Sequence, residues 1–389
     1  MKALVLGGGM VGSAIAADLA ADARLAVTVA DRSDEALARL ARRGLSGVRA
    51  DCSDPARITA LASGADVVIG ALSSVLGLAA LRAVIEARKP YVDISFMAED
   101  ALALSGLATE RGVTAVVDCG VAPGMSNLLC GHAAARLDPC ERLEIYVGGL
   151  PVLRRWPYEY KAPFAPHDVL EEYTRPARLV EDGRLVVREA LSEPELLEFE
   201  GVGTLEAFNT DGLRSLASTL RVPWMKEKTM RYPGHIALMR VLRETGFFSK
   251  EPVTVAAAGG GGDAGRRTSV RPLDVTAALL FPKWTFDERE ADLTVMRVTA
   301  VGREGGRRVR LQWDLLDRYD PETDTRSMSR TTGYPAAIVA RWLLDKRFER
   351  PGVHPPETLG RDPGLVSEML AELGRRGVTY QATSPEPLE

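Results

Sequence analysis

Gly7, Gly9 and Gly12 stand in a GxGxxG spacing that encloses Met10 and Val11, near the start of the chain. Glycine at these places serves phosphate chemistry. Gly7 permits a tight turn, Gly9 lets a pyrophosphate approach the backbone, and Gly12 lets a helix pack closely on the preceding strand. The N-terminus of that helix offers free N–H groups and the positive end of its dipole to the anion. A lone GxGxxG means little, but an apolar strand pattern precedes this one and an acid, Asp31, follows about 20 residues on. Asp31 would accept hydrogen bonds from the adenosine ribose and repel a 2′-phosphate, which favours NAD. Arg32 beside it could pair with that phosphate, so NADP stays open as the coenzyme. Asp51 reads either as a neighbour of the adenine or as a solvated acid at a strand end. Ser73 and Ser74 read as contacts to the pyrophosphate or the nicotinamide ribose, or as caps of the next helix.

These groups act together only if a sheet aligns them. Six strand patterns end in small or acidic residues: Ala3–Leu6 before Gly7, Leu25–Ala30 before Asp31, Gly47–Ala50 before Asp51, Asp66–Ile69 before Gly70, Pro90–Val92 before Asp93, and Thr114–Val117 before Asp118. Helical segments separate them. Ser33 can cap the second, which Gly44 ends, and Asp54-Pro55 opens the third, which Gly64 closes. Alternating strands and helices predict an α/β fold, a Rossmann doubly wound parallel sheet. Ligands bind outside the carboxyl ends of such strands, so Asp31, Asp51, Asp93 and Asp118 should share one rim.

Beyond the sixth strand, Asp118–Asn127 leads into a helix over Met125–Leu137, then a strand over Leu143–Tyr146, Gly148-Gly149-Leu150-Pro151, and a loop rich in proline and aromatics. Two hairpins follow. One turns at Asp182-Gly183; the other joins Asp292–Val301 to Arg307–Leu316 around Glu304-Gly305-Gly306. A second, mixed α/β domain with antiparallel hairpins is therefore expected over 121–328. Gly259–Gly262 reads as a turn or loop rather than a second phosphate cradle. Tyr334–Leu344, helical with Pro335 near its start, and Met369–Leu373 should pack back on the first domain, which then comprises 1–120 plus 329–375. The tail 383–389 should be loose.

Composition limits the alternatives. The chain has 389 residues, 46% hydrophobic and 26% charged, with a formal charge of -4 and no basic stripe, which argues against nucleic acid as a partner. Its four cysteines, Cys52, Cys119, Cys130 and Cys140, lack metal-site spacing, so no metal is expected and a reducing cytoplasm fits. Lys2 and the following apolar run imitate a leader, but three consecutive glycines interrupt it. No apolar stretch is long enough for a bilayer, so no membrane partner is expected.

Several words along the chain carry a family resemblance: Asp118–Asn127 (DCGVAPGMSN), Tyr146–Pro151 (YVGGLP), Glu172–Pro176 (EYTRP), Leu205–Leu213 (LEAFNTDGL), Thr229–His235 (TMRYPGH) and Thr331–Ala337 (TTGYPAA). Together with the glycine turn, they resemble the saccharopine dehydrogenase family, and within it the lysine 6-dehydrogenases. The resemblance implies an NAD-bearing Rossmann domain, a second domain over a small amino-acid substrate, and a homodimer. Saccharopine reductases carry an aspartate at Ala122, a cysteine at Val147 and an arginine at Thr210. Their absence points to lysine rather than saccharopine, and to oxidative deamination of its side-chain amine.

That chemistry needs a base to keep the amine neutral and a cation to grip the α-carboxylate. Arg231 is the candidate grip, since a guanidinium binds a carboxylate bidentately, with a structural salt bridge as the alternative. His235 is a candidate base or relay, with a packed histidine as the alternative. Asp118 and Asp93 could hold the ammonium or act as base, or else cap helices, and Asn127 and Asp211 could contact the amide and amine. Rival readings are a saccharopine reductase-like or carboxynorspermidine-synthase-like dehydrogenase, and a non-catalytic dinucleotide sensor.

Overall fold

The computed structural model describes residues 1–256 and 267–388; the turn expected at Gly259–Gly262 lies outside them. The first part of the chain alternates β1 (Lys2–Leu6), α1 (Met10–Ala20), β2 (Ala26–Asp31), α2 (Asp34–Arg42), β3 (Ser46–Arg49), α3 (Pro55–Ser63), β4 (Val67–Gly70), α4 (Ser74–Glu86), β5 (Tyr91–Asp93), α5 (Ser105–Arg111) and β6 (Thr114–Val116). The boundaries have local causes. The Ser33 hydroxyl accepts from Ala36 N–H, and the Asp54 carboxylate accepts from Ala56 N–H. Gly44 ends its helix in the left-handed region at φ 71°.

These strands form a parallel sheet in the order β6-β5-β4-β1-β2-β3, the doubly wound arrangement expected. A seventh strand, Gly352–His354, adds in parallel beside β6 from far along the chain. This strand is not among the six expected from the sequence. Because every strand points the same way, Asp31, Asp51, Asp93 and Asp118 do lie along the carboxyl rim.

After α6 (Met125–Arg136) the chain enters a mixed sheet through β7 (Cys140–Pro151). Strand β7 lies between Trp224–Arg231, parallel to it, and Asp292–Glu304, antiparallel. Both expected hairpins form. Ala177–Glu181 pairs with Arg184–Arg188 across Asp182 and Gly183, both at positive φ. Asp292–Glu304 pairs with Arg307–Arg318 across Gly305-Gly306.

Three expectations need correction. The segment after Pro151 is not all loop, because α7 (Pro166–Thr174) forms there with proline in its first turn. The helix placed at Tyr334–Leu344 starts earlier and runs Ser327–Leu344, with Pro335 inside it. Its start is fixed from a distance: the Asp292 carboxylate accepts from the Ser327 and Met328 N–H groups at 2.7 and 3.0 Å. The tail is not loose up to Leu388. Glu386–Pro387 pairs with Arg307–Arg318, and Leu388 N–H donates to Arg308 O at 2.9 Å, using the open edge of that strand.

Candidate active site

The turn between β1 and α1 is made of backbone. A Cβ on Gly12 would stand 2.0 Å from Gly7 O, and one on Gly7, at φ 100°, would stand 2.3 Å from Ala71 O. Neither position admits a side chain. Gly9 differs, because a Cβ there would meet nothing within 4 Å. The protein leaves that space open above the N-terminus of α1, where no side chain caps the helix. This is a cradle that fits a pyrophosphate. Asp31 steadies it, accepting from Gly8 N–H and Ser33 N–H, both at 2.7 Å. Beside Asp31 a hollow is lined by Arg32, Arg49, Asp51 and Arg57. Hydrogen bonds from Ser53 hold the Asp51 carboxyl below its ordinary range.

From this turn a cavity of ≈ 440 Å³ runs between the two sheets. Its near wall is Gly9–Gly12, Ala71, Leu72 and Ser73; its far wall comes from α7, from Thr210–Gly212 and from the strand Trp224–Arg231. Two periodicities place the charged groups. On the strand, Glu227, Thr229 and Arg231 alternate onto the cavity side. Asp168, Glu171, Glu172 and Arg175 recur at the i, i+3, i+4, i+7 spacing of one helical face and also line the cavity.

The chemistry is concentrated at Glu227. It is 3% exposed, and its Oε2 accepts from Thr210 Oγ1 at 2.5 Å and from Gly212 N–H at 3.1 Å. Burial pushes its carboxyl up to about 8; the Thr210 hydrogen bond opposes this, and the Glu172 and Asp211 charges add to it. Among the described residues no cation pairs with it. Asp168, which accepts from Ser74 Oγ at 2.6 Å, is also raised by burial.

The residues singled out in the sequence separate into two groups. Gly9, Met10, Val11, Gly12, Ser73, Asp211 and Arg231 line the cavity. Ser74 bridges to Asp168 instead. Asp211 is held bidentately by Arg178 at 2.8 and 2.9 Å. Asp118, Asp93, Asn127 and His235 do not line it. Asp118 is locked onto Arg214 at 3.1 and 3.2 Å. Asp93 is fully buried, accepting from Tyr91 OH and from Ser95; burial brings it to about 7. Asn127 donates to Glu357 and accepts from Gly124 N–H and Ser126 Oγ.

His235 is corrected as a base. Its Nε2 accepts from Tyr173 OH at 2.9 Å while Nδ1–H donates to Tyr158 O at 2.9 Å, so neither nitrogen is free. Burial, then the Arg231 charge, lowers it to about 3, and it stays neutral. Tyr173 in turn accepts from Arg231 Nε at 3.3 Å. Arg231 also donates to Met230 O at 2.9 Å and pairs with Glu172 at 2.5 Å. Its guanidinium is therefore committed inside the protein, and the structural salt bridge describes it better than a carboxylate grip.

Comparison with known proteins decides the family. Residues 120–378 match the saccharopine dehydrogenase C-terminal domain, and residues 3–116 match the saccharopine dehydrogenase NADP binding domain. The chain belongs to the saccharopine dehydrogenase family. Its first sheet is accordingly an NAD(P)-binding domain. It is 23% identical to the mitochondrial alpha-aminoadipic semialdehyde synthase of Mus musculus over 98% of this chain, and spans 48% of that protein's length. It is 22% identical to the saccharopine dehydrogenase [NADP(+), L-glutamate-forming] of Pyricularia oryzae, covering 95% of this chain and 97% of the other. The fold matches apo saccharopine dehydrogenase (L-Glu forming) from Saccharomyces cerevisiae with a TM-score of 0.77 at 18% identity, over 98% of this chain and 100% of that one. Ala122, Val147 and Thr210, the three positions the sequence resemblance singles out, all line the cavity. Among the described residues no helix is long and apolar enough to cross a membrane.

Sequence reasoning missed Glu227, Glu172, Asp168 and Arg175. The helical spacing of the last three was available, and Glu172 and Arg175 lie in the EYTRP word. Glu227 gave no such signal, because WMKEKTMR is too polar to read as a buried strand.

Proposed function

We propose that this dehydrogenase oxidises the side-chain amine of L-lysine with NAD, giving the 6-semialdehyde, which cyclises to piperideine-6-carboxylate. The observation that carries the reading is Glu227, a buried cavity carboxyl with no cationic partner among the described residues. An ammonium is the charge it lacks. The doubly acidic saccharopine would bring further negative charge beside it, and an arginine at position 210 would have neutralised it; Thr210 donates a hydrogen bond but brings no charge.

An alkylammonium with an ordinary pKa near ~10.4 must become neutral before its carbon can release a hydride. Glu227, at about 8, lies within reach of that proton, and desolvation in the cavity lowers the ammonium toward it. The N–H proton passes to Glu227. A bound nicotinamide would supply the hydride acceptor, and loss of hydride from the ε-carbon leaves an iminium on the substrate. Water adds to that carbon, the C–N bond breaks, and ammonia departs with the aldehyde left behind. Gly9–Gly12 orient the coenzyme's phosphates, and the apolar wall of Ala122, Pro123 and Val147 limits stray water.

NAD is favoured by Asp31, and the arginines around Asp51 keep NADP in the test. The family resemblance supports a homodimer, and four free, buried cysteines suit a reducing compartment. The experiment is an amine panel of L-lysine, saccharopine and carboxynorspermidine with each coenzyme, read as absorbance of reduced coenzyme. Turnover of L-lysine alone is expected. Turnover of saccharopine without lysine would overturn the reading.

A further inference from the structure

We propose that Arg175 binds the substrate's α-carboxylate, the part the sequence had assigned to Arg231. This rests on the amino-acid amine reading above. The two arginines line the same cavity but differ in what their guanidinium groups have left to give. Arg231 spends its donors on Glu172, Tyr173, Tyr160 and Met230 O. Arg175 Nη1 is buried and has no hydrogen-bond partner among the described residues. Its one ion pair among the described residues is loose, Nη2 to Glu171 at 3.6 Å, and Lys250 draws on the same carboxylate at 3.2 Å. A buried guanidinium N–H without an acceptor costs free energy, and a bound carboxylate would remove that cost.

The guanidinium is also held in place. Its centre lies 5.1 Å from the Phe96 ring, which follows β5, so a side chain of the second domain stacks on one of the first. That contact holds the guanidinium without using its N–H groups. The neighbours specify the rest of the ligand. Asp168 lies seven residues earlier, in α7, with one oxygen accepting from Ser74 Oγ and the other without a hydrogen-bond partner among the described residues. A guanidinium beside a carboxylate is complementary to the zwitterionic head of an α-amino acid. It does not suit a pyrophosphate, whose charges would meet Asp168, Glu171 and Glu172. The coenzyme's phosphates have their own cradle on the opposite wall.

The test compares L-lysine with 1,5-diaminopentane, the same amine without the carboxylate, in the wild-type protein, Arg175→Gln and Arg175→Lys, each checked for folding by its melting temperature. The wild-type enzyme should prefer L-lysine. In R175Q the ratio of kcat/KM for L-lysine over the diamine should fall about tenfold or more, through KM, and R175K should recover part of it. An unchanged ratio in both variants overturns the proposal, as does a raised KM for coenzyme with that ratio preserved. Should neither amine be oxidised, the proposed function fails, and calorimetric titration of L-lysine into the protein with NADH tests Arg175 separately. Binding weakened about tenfold in R175Q supports the assignment; equal binding, or none to the wild-type protein, overturns it.

Discussion

The two walls of the cavity are built from opposite materials. The coenzyme wall is backbone: Gly7 and Gly12 pack against neighbouring peptide groups, and Gly9 leaves open space. The substrate wall is nearly all side chain, with Glu227, Arg231, Glu172, Asp168 and Arg175 converging from a helix and a strand. A phosphate needs close approach to N–H groups, which any added carbon obstructs. A small zwitterion needs charges at chosen points, and only side chains supply those. Substitution should therefore act through bulk on one wall and through charge on the other.

The largest expected effect separates two glycines within the first wall. Gly12→Ala puts a carbon against Gly7 O, which is backbone and cannot move aside. It should lower the melting temperature by on the order of 10 °C and abolish coenzyme binding. Gly9→Ala meets no protein atom. It should melt close to the wild-type temperature while binding coenzyme about a hundredfold more weakly, as lost charge-assisted hydrogen bonds require. Calorimetry with NAD and a thermal scan check both. Wild-type affinity in G9A would show that the open space is not the cradle.

On the second wall, Glu227→Gln keeps the shape and removes the charge. Its kcat with L-lysine should fall about 10²- to 10³-fold, the scale of a lost general base. In the wild-type enzyme kcat/KM should rise with pH through about 8, where Glu227 gives up its proton; in E227Q that limb should vanish. Stability moves the other way. The folded state keeps the Glu227 proton between the ordinary glutamate value of 4.5 and about 8, where the unfolded chain has lost it, so stability falls as pH rises across that window. E227Q should therefore melt several degrees above wild type at pH 9 and level with it at pH 4. A pH limb that survives in E227Q would remove Glu227 from proton transfer.

The same division explains what could be read before the fold was known. The coenzyme wall is contiguous: strand, glycines, helix and Asp31 fall within one short stretch, and local geometry fixes their roles. The substrate wall is assembled by topology. Residue type pointed to Arg231 and His235, but type does not reveal whether a group is already satisfied, and Tyr173, Glu172 and Tyr158 satisfy both. Asp118 and Asp93 lie on the rim as the strand pattern required, yet Arg214, Tyr91 and Ser95 turn their carboxylates into structural partners. Glu227 emerges only when Trp224–Arg231 is seen to pair beside β7.

The smallest effect tests whether the backbone wall owes its selectivity to a side chain after all. Asp31 holds Gly8 N–H and Ser33 N–H, and the reading proposed above gives it a second duty toward the ribose, next to the hollow of Arg32, Arg49 and Arg57. Asp31→Asn keeps an acceptor oxygen for the turn but loses the charge, whereas Asp31→Ala loses both. Weakening of NAD by about tenfold is expected in D31A and by less in D31N, since a charge-assisted bond is stronger than a neutral one. The ratio of NADP to NAD affinity should rise in both, because the arginines would then meet a 2′-phosphate without an opposing carboxylate. If D31N and D31A both leave that ratio unchanged, Asp31 belongs wholly to the turn and coenzyme choice lies with the arginines. The two walls would then be alike in drawing specificity from cations.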